Sequence, residues 1–203
     1  MVQSHYFKDD DSLQHAYKNI EYQFGNHTFV FSTDRGVFSR DRVDFGSNVM
    51  LNAVAKDLVE LDANPERCLD FGCGYGVVSI VLNTLYQEQK WTALDINSRA
   101  VELAKYNSIK HNLKIDVIEN DGIPQGFQDF DLILLNPPIR IGKTKYYRMF
   151  EQAARALSSR GLFYIVIQKK QGALSAFKFL TSIFRDVETI DRSGGYHTIR
   201  CRN

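Results

Sequence analysis

The sequence predicts an open, doubly wound α/β fold around a mostly parallel sheet, and three observations carry that prediction. From Glu66 onward, short apolar segments alternate with longer segments of helical period. The short ones, typified by Leu132-Ile133-Leu134-Leu135, are apolar without interruption, as strands covered on both faces must be. A glycine-rich turn, Asp70-Phe71-Gly72-Cys73-Gly74-Tyr75-Gly76, follows the first of them, where sheets of this kind take a ligand.

Taken in order, residues 20–32 read as a hairpin, with Glu21–Phe24 and His27–Phe31 joined by the turn pair Gly25-Asn26. Thr33–Gly46 reads as a loop. Ser47 or Asn48 is then expected to cap a helix through Val49, Leu51, Val54, Leu58 and Leu61. Strands are expected at 67–70, 91–95, 115–119, 131–135 and 162–168, with helices at 76–87, 98–111, 146–158 and 172–184. Asp186–Asp191 and Tyr196–Cys201, separated by Ser193-Gly194-Gly195, read as a closing antiparallel hairpin. The chain therefore divides into a β-rich extension, 1–46, and one globular α/β unit, 47–203.

Bulk properties narrow the function classes. The chain has 203 residues, 44% of them hydrophobic, which is enough for one domain with a single sizeable core. The longest apolar runs, such as Leu162–Ile167, are too short to span a bilayer, and the N-terminus lacks the basic and apolar regions of a secretory signal. Cys68, Cys73 and Cys201 are an odd count without metal-ligand spacing, so reduced thiols, a cytoplasmic location and no metal centre are expected. His5, His15, His27, His111 and His197 have no partners at catalytic or metal spacing and read as surface or core residues. A net charge of +1 means that any RNA contact must come from a local basic patch.

Glycines at 72, 74 and 76 leave the turn without side chains, so a ligand can approach the backbone closely. The turn is not a dinucleotide fingerprint, because Val77 stands where the third glycine would be. The next strand ends in Asp95, followed by Ile96. Its carboxylate can accept from ribose hydroxyls, or alternatively cap the helix near Ser98. After the third strand, Asp121 of Asn120-Asp121-Gly122 can accept from an adenine amino group or serve as a plain turn residue. Asn136-Pro137-Pro138-Ile139 comes 60 residues after Gly76. An Asn side-chain oxygen beside the carbonyls of a rigid dipeptide without N–H donors suits the two hydrogens of a planar NH2 group.

The ordered set D-x-G-x-G-x-G, Asp95, Asp121 and Asn136-Pro137-Pro138 resembles class I S-adenosylmethionine-dependent methyltransferases. The resemblance is closer to the methyltransferase small domain group, which includes ribosomal RNA guanine-N2 methyltransferases. Gly36–Ser47, Ile167–Ala173 and Gly194-Gly195-Tyr196 are similar to further motifs of that group. The resemblance implies a Rossmann-like seven-stranded sheet whose last strand runs antiparallel. It implies S-adenosyl-L-methionine as cofactor, held by Asp70, Gly72, Cys73, Gly74, Gly76, Asp95, Ile96, Asp121, Gly122 and Asn136. Asn136, Pro137, Pro138 and Ile139 would form the catalytic pocket for an exocyclic amine, with guanine N2 of ribosomal RNA as the expected acceptor. Adenine N6 or a glutamine amide fits the same pocket, and a non-catalytic RNA-binding scaffold is the non-enzymatic alternative.

One departure is Ile139, where many members carry Phe or Tyr able to stack on the base. Phe38, Tyr146 or Tyr147 is expected to compensate. Arg140, Lys143, Lys145 and Arg148, with Arg35, Arg40, Arg42, Lys169 and Lys170, would face RNA phosphates, and Arg40, Arg140, Lys143 and Lys169 are the leading candidates. The ribosomal enzymes of the group carry an additional N-terminal domain that this sequence does not match. Recognition is therefore expected from the catalytic domain itself or from a partner.

Overall fold

The computed structural model describes residues 14–203, so the secretory-signal reading and His5 lie outside the described residues. The first described elements are β1 (Lys18–Phe24) and β2 (His27–Thr33), paired antiparallel with Phe24 opposite His27. Only Gly25 of the turn pair has positive φ, at +56°, as a two-residue turn with glycine first requires. Phe29 and Phe31 point into the main core, and His111 lies 5.7 and 5.3 Å from their rings. The edge of β2 is tied down by Asn107, whose side chain accepts from Ser32 N–H at 2.8 Å and donates to its carbonyl at 3.0 Å.

Helix α1 spans Phe45–Glu60 and is capped by Asp44, whose carboxylate accepts from Ser47 N–H at 3.0 Å. Sequence placed the cap at Ser47 or Asn48. Asp, Ser and Asn cap almost equally well, and exposed Phe45 gives no periodic signal to mark the earlier start. Asp44 therefore sits at the end of the loop with its carboxylate directed back over the helix start.

The remaining elements alternate: β3 (Arg67–Phe71), α2 (Val77–Leu85), β4 (Lys90–Asp95), α3 (Ser98–Lys110), β5 (Ile115–Glu119) and β6 (Phe130–Leu135). They are followed by α4 (Lys143–Ala156), β7 (Leu157–Gln168), α5 (Ala173–Leu180), β8 (Asp186–Ser193) and β9 (Tyr196–Arg202). Among the described residues, seven strands form one sheet in the order β5-β4-β3-β6-β7-β9-β8. The first five are parallel. The last strand, β9, runs antiparallel between β7 and β8, as the closing hairpin predicted.

Both faces of the sheet are covered, which explains the uninterrupted apolar strands. Leu132 and Leu134 of β6, with Tyr164 and Val166 of β7, face the core shared by α1, α2, α3 and the hairpin. Ile133, Leu135, Phe163, Ile165 and Ile167 face the core of α4 and α5. The structure differs from expectation at the α4–β7 junction. The helix begins at Lys143 and ends at Ala156, while β7 starts at Leu157 rather than 162, with a register shift on β6 between Phe130 and Leu132. Gly161 permits that irregularity, because a Cβ there would lie 2.7 Å from the Leu157 side chain and from the Phe130 carbonyl.

A buried polar cluster pins α1 to the sheet. Asp57 of α1 accepts from Arg200 of β9 at 2.6 and 2.8 Å and from the Tyr164 hydroxyl of β7 at 2.6 Å. Among the described residues, no helix is long and apolar enough to cross a membrane.

Candidate active site

The strand order reverses direction between β3 and β6, so the chain leaves adjacent strands toward opposite sides and opens a crevice at their carboxyl ends. Four segments meet there: the glycine turn after β3, Asp95 at the end of β4, the Asn120–Gly122 turn after β5, and Asn136 after β6. Gly72 adjoins the last of these, since a Cβ on it would touch Leu135 at 3.8 Å.

The glycine turn is held by its neighbour strand. Gly72 N–H and Cys73 N–H both donate to the Leu94 carbonyl, at 2.7 and 3.0 Å. Gly74 N–H donates to Asp95 Oδ2 at 2.8 Å, and Asn97 N–H donates to Oδ1 at 2.9 Å. These bonds fix the plane of the Asp95 carboxylate at the mouth of the crevice. The N-cap of α3 is Asn97, which accepts from Ala100 N–H at 3.1 Å. Ile96, 44% exposed, presents an apolar face beside the carboxylate.

The other glycine-turn residues are placed differently from one another. A Cβ on Gly74 would meet nothing within 4 Å, so open space lies above it. Gly76 has φ +91° and is buried against Ile80 and Ala104, which lets α2 start close to α3. Asp70 is buried, accepts from Ser79 N–H at 2.9 Å, and thereby anchors the first turn of α2. Burial pushes its carboxyl up to about 6, and the charge of Asp95 pushes the same way. Cys73 packs among Ala93, Val101, Ala104 and Val117, and burial raises its thiol well above the usual range. It is no nucleophile at neutral pH.

At the β5 edge, Asn120 N–H donates to the Asp95 carbonyl at 3.0 Å and Asn120 Nδ2 to the Gly122 carbonyl at 2.9 Å. Asp121 is exposed on that turn. The lack of a side chain at Gly122 leaves room for Gln152, which would lie 2.5 Å from a Cβ there.

The loop between β2 and α1 folds over this crevice. Asp34, fully buried, would be raised by burial. Hydrogen bonds from Ala16 N–H, His15 and Arg35 N–H, and the charge of Arg99, more than offset that and hold it below the usual carboxylate range. Asn97 Nδ2 donates to the Gly36 carbonyl at 3.1 Å, and the Tyr75 hydroxyl donates to the Ser39 carbonyl at 3.3 Å. Through these contacts the extension, the glycine turn and α3 form one bonded assembly.

Asn136 is the polar centre of the second half of the crevice. Its Nδ2 donates to Asp44 Oδ2 at 2.9 Å and to Ser47 Oγ at 3.0 Å, so both amide hydrogens are used. Among the described residues Oδ1 accepts no hydrogen bond, and it is the part of the side chain left for a ligand. Pro137 is buried and Pro138 half-buried. The Pro138 carbonyl accepts from Ile141 N–H at 3.0 Å, closing a short helical turn over 139–141 that holds Ile139 half-exposed. Sequence reasoning took Ser47 only as a candidate helix cap and Asp44 only as part of the Gly36–Ser47 segment, and connected neither with Asn136.

Of the three aromatics expected to replace a ring at position 139, Tyr146 is 1% exposed within the α4 core and Tyr147 stacks on Phe179 at 4.0 Å. The period of α4 buries the first and leaves the second half-buried against Phe179. Phe38 keeps its ring exposed on the loop. Phe45 and Tyr196 form an aromatic pair 5.6 Å apart beside Asp44; Tyr196 belongs to the Gly194-Gly195-Tyr196 segment, and its pairing with Phe45 was not anticipated. Arg140, Lys143 and Lys169 are exposed, and none forms an ion pair with a described carboxylate. Arg40 is instead drawn inward, its Nη2 donating to the Ala16 carbonyl at 2.9 Å. No group of three or more His, Cys, Asp and Glu among the described residues could hold a metal ion.

The open glycine turn, the oriented carboxylate of Asp95 and the exposed Asp121 fit an adenosine-bearing cofactor, with Asn136 one strand away. Comparison with known proteins agrees with that chemistry. The model for the methyltransferase small domain matches residues 28–200. An uncharacterized protein of Bacillus subtilis, YbxB, is 34% identical over 204 residues, covering 99% of both chains. Ribosomal RNA small subunit methyltransferase C of Buchnera aphidicola is 27% identical over 84% of this chain and 51% of its own. The chain thus spans about half the length of that named relative. In solved structures, the 16S rRNA N2 G1207 methyltransferase RsmC of Thermus thermophilus, complexed with AdoMet and guanosine, superimposes with a TM-score of 0.82. It is 21% identical, over 92% of this chain and 50% of its own. The chain belongs to the methyltransferase small domain family, a family of S-adenosylmethionine-dependent methyltransferases.

Proposed function

We propose that this protein transfers a methyl group from S-adenosylmethionine to an exocyclic amino nitrogen, guanine N2 of ribosomal RNA, in the cytoplasm. The observation that carries the proposal is the Asn136 amide, whose two hydrogens are spent on Asp44 and Ser47 while Oδ1 remains free to accept. A pocket centred on such an oxygen favours a group that brings its own hydrogens.

The cofactor, when bound, supplies a methyl already activated on a sulfonium, which removes any need for a covalent nucleophile. Asp95 would hold the ribose hydroxyls, Gly72 and Gly74 would leave room for the chain, and Asp121 would meet the adenine. The nucleophile is the weak point, because the lone pair of an exocyclic amine is delocalised into its ring. Asn136 Oδ1 and the Pro137 carbonyl would accept from the two amine hydrogens and hold the lone pair in line. Those acceptors bind more tightly as positive charge develops on nitrogen, so they stabilise the transition state more than the ground state. The proton can leave to water.

Ribosomal RNA as substrate is supported by the kinship with methyltransferase C and by the guanosine carried by the Thermus thermophilus protein. It is supported as well by the basic rim. Arg140 and Lys143 follow the pocket, and Lys169 follows β7. His197 of β9 is held below its usual range by burial first and then by the charges of Arg192 and Lys169. Phosphates meeting these groups would release counterions and make binding salt-dependent.

The test is transfer of labelled methyl from S-adenosylmethionine to ribosomal RNA and small-subunit particles, followed by nucleoside analysis. N2-methylguanosine is expected. Label appearing only in N6-methyladenosine or in protein glutamine would replace the proposed acceptor while leaving the reaction class intact.

A further inference from the structure

We infer that Asp44 and Ser47 are positioning residues that lock the orientation of the Asn136 amide, so that its oxygen and not its nitrogen faces the acceptor. The inference rests on the reading of Asn136 as the group that receives the amine. A carboxamide has nearly the same shape in either orientation, so sterics alone do not decide which end meets the substrate. Here the choice is electrostatic. With Nδ2 toward Asp44 and Ser47 the side chain makes bonds of 2.9 and 3.0 Å. A flip would set Oδ1 against a carboxylate and aim two N–H groups at an amine that has its own hydrogens.

The carboxylate is itself held in place. Asp44 Oδ2 also accepts from Ser47 N–H at 3.0 Å, so capping α1 and gripping Asn136 are done by one oxygen. Gly46 keeps the space open. A Cβ at that position would lie 2.9 Å from Asp44 Oδ2 and 2.9 Å from Tyr196 Cε1. Tyr196 walls the other side, and its hydroxyl is pushed up by burial and by the Asp44 charge. Asp44 additionally polarises the amide it binds, making Oδ1 a stronger acceptor toward a nitrogen that becomes positive. An unprotonated ring nitrogen or a carbonyl oxygen brought to the same place has no hydrogen to share and is disfavoured. Selectivity for an amino group is therefore set by a residue 92 positions away in sequence.

Asp44→Ser tests this, because serine still caps a helix but is too short to reach the amide. Expected are cofactor affinity within about twofold of wild type, a similar KM for RNA, and kcat lower by about tenfold or more. The second arm reverses the polarity of the pair. Asn136→Asp alone places two carboxylates face to face and should be nearly inactive. Asp44→Asn combined with Asn136→Asp lets the new amide at position 44 donate to the new carboxylate at 136, and should regain about tenfold in kcat. Wild-type kcat in Asp44→Ser overturns the inference, as does a double variant no better than Asn136→Asp. If Asp44→Ser unfolds, the polarity swap decides. Asn136→Ala separates the two levels: full transfer there defeats the acceptor reading itself, whereas an inactive Asn136→Ala beside a fully active Asp44→Ser defeats only the positioning role.

Discussion

Asp95 and Gly74 are joined by a 2.8 Å hydrogen bond from the glycine N–H to the carboxylate, so the residue that ends β4 shapes the turn that ends β3. One side chain thereby shapes the backbone path of the turn and stands where the proposed cofactor would bind. Asp95→Ala should weaken S-adenosylmethionine binding by about 1.5–3 kcal/mol, the usual cost of losing charge-assisted hydrogen bonds. Titration calorimetry reads this directly. Undiminished affinity would mean that the carboxylate serves only the turn.

Buried Asp70 makes stability depend on pH in an unusual direction. Its carboxyl is pushed up to about 6 from 3.8, so the folded state holds a proton that the unfolded chain releases. The contribution of this group is therefore fully favourable below about pH 4 and is lost as pH rises toward 6. A shift of this size corresponds to about 3 kcal/mol. Asp70→Asn keeps an acceptor for Ser79 N–H without the charge. Relative to wild type, it should gain roughly that amount between pH 4 and pH 7.5 in urea unfolding. A constant difference across that range would show that Asp70 titrates normally.

Asp57 holds Arg200 and the Tyr164 hydroxyl in a buried cluster linking α1 to β7 and β9. Asp57→Ala removes one of the two carboxylates that pair with Arg200, leaving Glu188, and should cost about 1.5–3 kcal/mol. Because Asp44 caps α1, the loss should also lower activity at temperatures where the variant is still folded. Denaturant midpoints and assays on the same samples check both effects, and a shift below about 1 kcal/mol would assign the cluster a minor role.

Gly46 offers a sharper contrast. Its φ lies outside the left-handed region and alanine is the better helix former by about 1 kcal/mol, so local propensity favours Gly46→Ala. The added Cβ collides with Asp44 and Tyr196, as the 2.9 Å separations require. A folded protein with strongly reduced transfer is expected. Gain of stability with full activity would show that the Asp44 carboxylate can move without consequence.

The sheet was legible because its strands announce themselves. Leu132–Leu135 could only be a strand buried on both faces, and the turn between β8 and β9 fixed the antiparallel closure. Asp95 and Asn136 were legible for a related reason, since each is a lone polar residue ending an apolar strand. What sequence did not disclose is tertiary. The start of α1 was ambiguous because Asp44, Ser47 and Asn48 are equivalent as caps. The partnership of Asp44 with Asn136 leaves no local signature across 92 residues. Tyr146 and Tyr147 lie close to the pocket in sequence, yet the turn of α4 buries the first and stacks the second on Phe179. Arg40 likewise sits in a cationic stretch, and its pairing with the Ala16 carbonyl depends on how the loop folds back.

The central claim is that Asn136 Oδ1 receives the amine that is methylated. Its most direct measurement compares wild type with Asn136→Ala for S-adenosylmethionine affinity by calorimetry and for methyl transfer to ribosomal RNA in single turnover. The account predicts near-normal cofactor binding with the rate reduced by about 10²-fold or more, the scale seen when one transition-state hydrogen-bonding group is removed. Transfer at the wild-type rate in that variant would contradict it.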